Sequence, residues 1–157
     1  MGYVMAKNIA DSKDTKKRVK EMLEKLKGRD FRITPQRYAV LNILAENKDH
    51  PDVDQIYNKV KTQFPTTSIA TVYKTVALLK EQGEVLELGF HNCNNRYDGN
   101  KPYPHSHVIC TKCKKMMDPE LSTLDELSSE MSQKTGYKID SHRLDFFGLC
   151  PDCQKKG

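Results

Sequence analysis

The residues best suited to bind a metal are four cysteines in two C-x-x-C pairs, Cys110 with Cys113 and Cys150 with Cys153. Two intervening residues let both sulfurs of one turn face one ion, and two such turns supply the four thiolates of a tetrahedral zinc site. Such a site has no open coordination position and is therefore structural. The alternative is a redox-active dithiol, which needs a cysteine pair at a helix start after a strand, and neither pair shows that context in the sequence. Cys93 stands alone and is interpreted as a bystander.

A second set of candidate ligands surrounds the first cysteine pair. His105 and His107 are two residues apart, so a strand would place both imidazoles on one side, with Asp98 before them and Asp118 after. Mixed nitrogen and oxygen ligands suit Fe²⁺, Mn²⁺ or Zn²⁺. Each residue also has an ordinary interpretation: surface histidines in a loop, a turn aspartate and an aspartate cap. The residues alone therefore leave this site open, and on the same basis His50 is interpreted as a turn residue.

Four helices are predicted in the N-terminal half from apolar periodicity and from start and stop signals. They are expected over residues 19–27, 35–47, 53–63 and 69–82, with Gly28 and Gly83 as stops of the first and last. The fourth helix has an apolar stripe of Ile69, Val72, Val76 and Leu79. The residues off that stripe, expected to point partly outward, are Thr71, Tyr73, Lys74 and Thr75.

Strand signals follow the fourth helix. Residues 84–90 have strand composition, Asn92, Asn94 and Asn95 lie in a turn-rich stretch, and a second strand is expected over residues 96–98. Three helices, a recognition helix and a hairpin occur in the order of a winged helix. We therefore predict a winged-helix DNA-binding domain over residues 1–98, in which residues 1–15 are disordered by default.

A smaller unit is predicted over residues 99–157, after a turn-rich joint. Its elements are a strand over 107–110, a short apolar piece at 116–117, a helix over 122–134 stopped by Gly136, and a strand over 137–149. The helix carries Leu124, Leu127 and Met131 on one side. A unit of under about 65 residues has a marginal core and needs a metal, a partner chain or both. The predicted class is therefore α+β, with a C-terminal α/β dimerisation domain that contains structural zinc.

Basic residues are concentrated in the first half of the chain. Residues 1–88 contain 16 lysines and arginines against 12 acidic residues, whereas residues 89–157 contain 10 against 9. This surplus is consistent with DNA binding by the first half, although a solvated surface explains it equally well. No apolar run approaches the roughly 20 residues that span a bilayer, and the N-terminus lacks the apolar region of a secretory signal. We expect a cytoplasmic protein without membrane contact.

Several motifs in series resemble the ferric uptake regulator family. They run from about Lys16 to Cys153, nearly the whole chain, in the family's order. They are residues 32–37 (RITPQR), 50–51 (HP), 68–73 (SIATVY), 105–107 (HSH), both C-x-x-C pairs and 137–138 (YK). Motifs this specific, in this order, are very improbable by chance. Within the family, the resemblance is greatest to members that regulate the response to peroxide stress.

This resemblance implies two metal sites. The structural zinc ligands are matched by Cys110, Cys113, Cys150 and Cys153. The regulatory ligands, which bind Fe²⁺ or Mn²⁺, are matched by His50, Asp98, His105, His107 and Asp118. The regulatory ion would join the two domains and set the heads of a homodimer at the spacing of a palindromic DNA operator. Positions on the recognition helix are matched by Thr71, Tyr73 and Lys74.

Asp118 favours peroxide sensing within the family. Iron-sensing members commonly have Glu at this position, whereas peroxide sensors have Asp. In the peroxide sensors, bound Fe²⁺ reacts with hydrogen peroxide and a ligand histidine is oxidised; His50 and His105 match the oxidised residues. Oxidised imidazole is a poorer ligand, so the metal leaves and repression ends.

Three alternatives stay open. An iron- or zinc-uptake repressor of the same family would respond to metal concentration without peroxide chemistry. A thiol oxidoreductase or peroxidase would need an exposed cysteine of low pKa, and Cys93 lacks a helix start and a basic neighbour, so we expect no enzyme. A zinc-binding architectural protein would bind DNA whatever the state of the second metal. His142 is interpreted as a core strand residue in preference to a ligand of an auxiliary site.

Overall fold

The computed structural model describes residues 2–27, 31–90 and 93–156. The chain forms two compact units, Met1–Pro102 and Tyr103–Gly157. The boundary lies four residues beyond the expected one at 98/99 because the segment after Asp98 is bonded to the first unit. The backbone N–H groups of Asn100 and Lys101 donate to Asp98 Oδ1, and Asn100 Nδ2 donates to the carbonyl of Ala45 at 2.7 Å.

The first unit has the element order predicted for a winged helix. Within its described residues, the elements are α1 (Gly2–Lys27), α2 (Pro35–Glu46), α3 (Val53–Gln63), α4 (Ile69–Glu81), β1 (Leu86–Phe90) and β2 (Cys93–Asp98). The two strands are antiparallel. The predicted helix and hairpin order is therefore confirmed for this unit.

Local capping explains why three of these helices begin where they do. Thr34 Oγ1 accepts from the N–H of Arg37, with Pro35 in the first helical position of α2. Asp52 and Gln55 form a capping box at the start of α3. Ser68 caps α4, with its side chain accepting from the N–H of Thr71. Each cap satisfies a backbone N–H that has no partner inside its helix.

The first helix is longer than the sequence predicts. It begins at Gly2, so residues 2–15 are helical and the expectation of disorder there is wrong. Residues 3–27 contain no proline or glycine that would interrupt the helix, and residues 3–15 include two alanines, two lysines and a methionine, which are strong helix formers. Apolar periodicity predicts a stripe of Val19, Met22, Leu23 and Leu26, of which Leu23 is half-buried and the other three are buried. The predicted stop at Gly28 and the predicted turn residue Asn92 lie outside the described residues.

Two predictions about side-chain direction on α4 are wrong. Ile69 is 38% exposed, and Thr75 is fully buried. The Thr75 hydroxyl donates to the carbonyl of Thr71 at 2.7 Å, so the helix itself satisfies this buried polar group. Val72, Val76 and Leu79 are buried as predicted, in the same core as α1, α2 and α3.

The hairpin strands also differ from the prediction. Asn94 and Asn95 belong to β2 and not to a turn. Asn94 Nδ2 donates to the carboxylates of Asp52 and Asp54, and Asn95 Nδ2 donates to Glu87 Oε1 across the sheet. These side-chain partners hold the asparagines in extended backbone. At the other end, β1 begins at Leu86 and not at Glu84.

Glu84 has a different role, because it is the centre of a buried ion pair. Arg18 donates to Glu84 Oε2 at 2.6 Å, to the Glu84 carbonyl at 2.8 Å and to the Gly99 carbonyl at 2.7 Å. Lys25 pairs with the other carboxylate oxygen. Burial raises the pKa of Glu84, but the hydrogen bonds and charges of Lys25 and Arg18 outweigh it and hold the pKa below its ordinary value. Arg18 thus fastens α1 to both ends of the hairpin.

The second unit is built around a three-stranded sheet. Its described elements are β3 (Ser106–Cys110), β4 (Met116–Met117), α5 (Leu124–Thr135), β5 (Leu144–Gly148) and α6 (Pro151–Gln154). The strand order is β4-β3-β5, with β3 antiparallel to β4 and parallel to β5. Gly136 ends α5 in the left-handed conformation, as predicted.

The predicted strand over residues 137–149 is wrong in its first half. Only residues 144–148 pair with β3, because β3 itself is five residues long. His142 therefore precedes the strand and is half-buried, with Nδ1 3.1 Å from Ser128 Oγ of α5. The interpretation of His142 as a strand residue is corrected accordingly.

Much of the apolar surface of the second unit faces outward within one chain. No residue of α5 is buried, and Leu127 and Met131 on its apolar side are 50% and 54% exposed. On β5, Phe147 is 61% exposed. No helix formed by the described residues combines the length and the apolar character needed to cross a membrane.

We expect Gly99→Ala to destabilise the first unit. An added Cβ would lie 2.7 Å from Leu44 Cβ and 3.0 Å from Met22 Cε, and overpacking of this kind costs about 1–3 kcal/mol in the free energy of unfolding. Chemical denaturation measures the effect. Gly89→Ala is the matched control, because its nearest contact, Asn95 Oδ1, is at an ordinary 3.6 Å. Equal stability of the two variants would contradict this packing argument.

Candidate metal centres

The two cysteine pairs meet because β3 and β5 are parallel and end together. Cys110 is the last residue of β3 and faces Gly148 at the end of β5. Beyond this point the Thr111 N–H donates to the Gly148 carbonyl at 2.8 Å, which prolongs the pairing into both turns. In the first turn, Lys114 takes a positive φ of 62° and its N–H donates to the Cys110 carbonyl. The turn thereby brings Cys113 back to Cys110.

The four sulfur atoms form a cluster with the dimensions of a zinc site. All lie within 4.8 Å of one another, and Cys113 Sγ is 3.7 Å from Cys150 Sγ. Tetrahedral zinc with bonds of about 2.3 Å places its sulfurs about 3.8 Å apart. The donor set is therefore the one that zinc prefers, and the cluster is a structural zinc site.

The ionisation of these thiols also calls for a cation. The backbone N–H groups of Cys150 and Cys113 lower the pKa of Cys110 to about 6. The hydrogen bond to Cys150, burial and the neighbouring sulfurs raise the pKa of Cys153 to about 12. A metal-free cluster thus resists losing all four protons, because the resulting thiolates would repel one another. A divalent cation at the centre removes that obstacle.

The sequence interpretation that neither cysteine pair lies at a helix start is wrong for Cys150 and Cys153. The second pair does stand at a helix start after a strand, since Cys150 is the N-cap of α6 and follows β5. The helix has only four residues, however, and the sulfurs of the other pair lie beside it. The four sulfurs together, and not the position of one pair at a helix start, identify the cluster as a zinc site.

His50 and Asp98 form a buried pair in the first unit. Both are 1% exposed, and His50 Nε2 lies 3.3 Å from Asp98 Oδ2. The Tyr97 N–H donates to the carbonyl of Pro51 at 3.0 Å, which brings the end of β2 to the loop that carries His50. His50 itself has a φ of 53°, a strained conformation for a residue other than glycine. The backbone is thus constrained at a residue that sequence alone assigns to an ordinary turn.

His105, His107 and Asp118 form a cluster in the second unit. The two imidazole rings lie with centroids 4.4 Å apart on β3 and the residue before it. His105 Nε2 is 3.5 Å from Asp118 Oδ2, and Asp118 follows β4, the strand beside β3. The sequence-predicted proximity of these three residues is therefore observed.

The three histidines share one feature that suits metal ligation. Nδ1 of His50 is 3.0 Å from the Lys48 carbonyl, Nδ1 of His105 is 2.8 Å from the Tyr103 carbonyl, and Nδ1 of His107 is 3.1 Å from Asp145 Oδ1. A carbonyl or carboxylate oxygen only accepts, so Nδ1 carries the proton and Nε2 presents a lone pair. In two cases that lone pair faces a carboxylate oxygen. Such an arrangement is favourable when a cation lies between the atoms, and ligand oxygens and nitrogens around one ion are about 3.0–3.5 Å apart.

Sequence reasoning missed the residues that orient these ligands. Asp145 is distant in sequence from His107, and only the register of β3 and β5 brings the two together. Asn100 is also missed. Its backbone N–H donates to the side chain of Asp98, two residues earlier, and this spacing is the local signal of an Asx-turn. Cys93 is exposed on β2.

The proposed DNA-contacting residues lie at the N-terminal end of α4. Tyr73 is 54% exposed, and Lys74 is exposed beside it. Thr71 is half-buried, and its hydroxyl lies 3.0 Å from Ser68 Oγ at the helix cap. Tyr73 also lines a shallow pocket of about 160 Å³ with residues of α3 and β2. Two of the three residues are therefore open to a partner.

Comparison with known proteins gives a consistent result. Residues 28–147 match the model of the Ferric uptake regulator family. The Peroxide operon regulator of Bacillus subtilis (strain 168) is 40% identical over 138 residues, which cover 88% of this chain and 94% of the relative. The crystal structure of the Campylobacter jejuni peroxide stress regulator is 34% identical, with a TM-score of 0.69 over 83% of this chain and 98% of that one. The Helicobacter pylori ferric uptake regulator shares the fold, with a TM-score of 0.76 at 23% identity over 89% and 93% of the two chains.

The family model covers more than half of the chain, and the Bacillus relative is covered almost completely. The winged-helix order of the first unit, the four-cysteine zinc site and the histidine–aspartate groups all agree with this match. The chain therefore belongs to the ferric uptake regulator family of dimeric, DNA-binding transcription regulators.

Proposed function

We propose that this chain is a metal-dependent transcriptional repressor that senses hydrogen peroxide. The observation that carries the proposal is the common orientation of His50, His105 and His107, each with Nδ1 against an oxygen acceptor, which leaves the ring lone pair on Nε2. The similarity to regulators named for peroxide supports the sensing role. The function is regulatory and not enzymatic.

One regulatory ion would take its ligands from both units. Its proposed ligands are His50, Asp98, His105, His107 and Asp118. Only six residues separate Asp98 from His105, so the connection between the two groups is short. An ion bound by both groups would favour one arrangement of the units over others, in proportion to its greater affinity for that arrangement.

The ligand set suits Fe²⁺ or Mn²⁺, because it combines imidazole nitrogen with carboxylate oxygen and contains no thiolate. Bound Fe²⁺ would supply the one-electron chemistry that activates hydrogen peroxide, with the imidazole as the group oxidised overall, whereas Mn²⁺ would support DNA binding without that reaction. The role of His50 and His105 is to accept one oxygen atom on the ring, with water as the product of the peroxide. Their modified rings donate poorly, and the regulatory metal is released.

Repression requires a homodimer on a palindromic operator. The exposed apolar residues of the second unit, which include Leu127, Met131 and Phe147, are available to a second copy of the chain. In the first unit, Thr71, Tyr73 and Lys74 are the proposed base or phosphate contacts of the recognition helix. Such a repressor acts on cytoplasmic DNA and needs no membrane.

The central test compares the two metal forms. Zinc-replete protein is loaded with Fe²⁺ or with Mn²⁺ and treated with substoichiometric hydrogen peroxide, and operator affinity is followed with peptide mass. We expect the iron form alone to gain one oxygen atom on the peptide that contains His50 or His105 and to lose DNA binding. If neither histidine is modified and DNA binding instead follows Fe²⁺ or Zn²⁺ concentration, the protein is a metal-uptake repressor.

The zinc site gives a second prediction. Cys153→Ser removes one of four thiolates, and the second unit should lose its bound zinc and unfold, because metal binding of this kind contributes on the order of 10 kcal/mol to folding. Zinc content, circular dichroism and sedimentation measure the loss of metal, structure and dimer. Cys93→Ser is the matched control and should retain one structural zinc per chain. Retention of zinc and dimer by Cys153→Ser would contradict the assignment.

The recognition helix gives a third prediction. Lys74→Ala should weaken operator binding by about 1–3 kcal/mol, the usual cost of losing a base contact. Lys80→Ala is the control on the same helix, since Lys80 lies near its C-terminal end and pairs with Glu87. Fluorescence anisotropy with a labelled operator measures both. Similar losses in the two variants would show that general charge, and not position on α4, determines affinity.

A further inference from the structure

Asp145 is a largely enclosed carboxylate that neither the sequence motifs nor the proposed ligand set includes. Its side chain is 12% exposed and lies on β5, opposite His107 in the parallel register with β3. One oxygen, Oδ1, is 3.1 Å from His107 Nδ1, and the other, Oδ2, accepts from Arg143 Nε at 2.7 Å. Each oxygen thus has a defined partner.

This arrangement differs from that of the other two histidines. His50 and His105 have Nδ1 against backbone carbonyls of residues two positions earlier in the chain, whereas His107 has Nδ1 against a charged side chain from another strand. A carboxylate behind a ligand imidazole fixes the tautomer and ring orientation and makes the ring a stronger donor. One side chain, Asp145, therefore sets the tautomer of His107, and it can be substituted without replacing any proposed metal ligand.

We propose that Asp145, held in place by Arg143, is a positioning residue that keeps His107 in the Nδ1–H tautomer and so directs its Nε2 lone pair to the regulatory metal. The inference rests on the proposed regulatory site. It adds a residue that does not contact the regulatory metal but determines how well His107 binds that metal.

The geometry predicts an unusual effect of a nearly isosteric change. In Asp145→Asn, the amide has one acceptor and one donor end. Arg143 Nε donates to Oδ2 in the wild type, and the amide preserves that bond only with its oxygen towards Arg143, so the NH₂ group turns to His107. Nδ1 must then accept, the ring proton moves to Nε2, and the atom that should bind the metal is blocked.

The experiment uses full-length, zinc-loaded protein labelled with ¹⁵N in histidine. The tautomer of His107 is read from its ring nitrogen shifts without the regulatory metal, and the Kd for Mn²⁺ is measured by calorimetry. We expect Nδ1–H in the wild type, Nε2–H in Asp145→Asn, and a 10- to 100-fold weaker Kd, the range typical for loss of such a partner. Asp140→Asn makes the same chemical change at an exposed carboxylate and should alter neither value.

A double variant distinguishes orientation from general damage. In Asp145→Asn with Arg143→Leu, no guanidinium competes for the amide oxygen, so the oxygen returns to His107 and both the tautomer and the Mn²⁺ affinity should recover. If Asp145→Asn does not retain zinc, Asp145→Ala is used in its place. In that variant we expect both tautomers of His107 to be populated and the affinity for Mn²⁺ to fall by less than in Asp145→Asn.

Two failures are separable. A wild type that binds no Mn²⁺ would overturn the regulatory site and this inference with it. A wild type that binds Mn²⁺ while His107 keeps the Nδ1–H tautomer in the Asp145 variants, or changes tautomer with no change in Kd, would overturn the role of Asp145 alone.

Discussion

The second unit depends on one constraint: four cysteine sulfurs that lie within 4.8 Å of one another can all ionise only with a cation among them. In the second unit this constraint stands in for a large core, because α5 buries no residue within one chain. The zinc site closes the ends of β3 and β5, where Cys110 faces Gly148. The same register places His107 opposite Asp145 three residues earlier. A structural metal therefore fixes the strand pairing on which the orientation of a regulatory ligand depends.

The first unit reaches a comparable result without a metal. Asp98 Oδ1 is engaged by the N–H groups of Asn100 and Lys101, so Oδ2 is the oxygen directed to His50. Arg18 holds the next residue, Gly99, by its carbonyl and also binds Glu84 at the start of the hairpin. The close packing of Gly99 on Leu44 leaves no room for a side chain. The helix packing in this unit and the position of Asp98 Oδ2 therefore depend on the same set of contacts.

Sequence predicts those features that are encoded over a few residues. Thr34 with Pro35, Asp52 with Gln55, and Gly136 after α5 give the helix limits because a cap acts within one turn. The cysteine pairs predict zinc because ligand spacing is local. What sequence misses depends on distant partners. The length of β5 follows from β3, and Asp145 has no signal near His107. Ile69 on α4 fits the apolar stripe and is nevertheless 38% exposed, and periodicity along the helix does not reveal which stripe positions other elements cover.

The two metal sites differ in a way that suits a switch. A four-thiolate zinc site has no open position, so peroxide reaction at the nitrogen and oxygen ligands leaves the structural metal in place. Release of the regulatory ion then changes the equilibrium between arrangements of a folded protein and does not unfold it. To move such an equilibrium from 1:99 to 99:1, the ion must favour one arrangement by a factor of about 10⁴. Loss of a partner that only orients one ligand changes metal affinity by about 10- to 100-fold, which falls short of that factor. In the proposed site, ligands from both sides of the short Asp98–His105 connection would contribute jointly to this preference, and damage to one imidazole would reduce it.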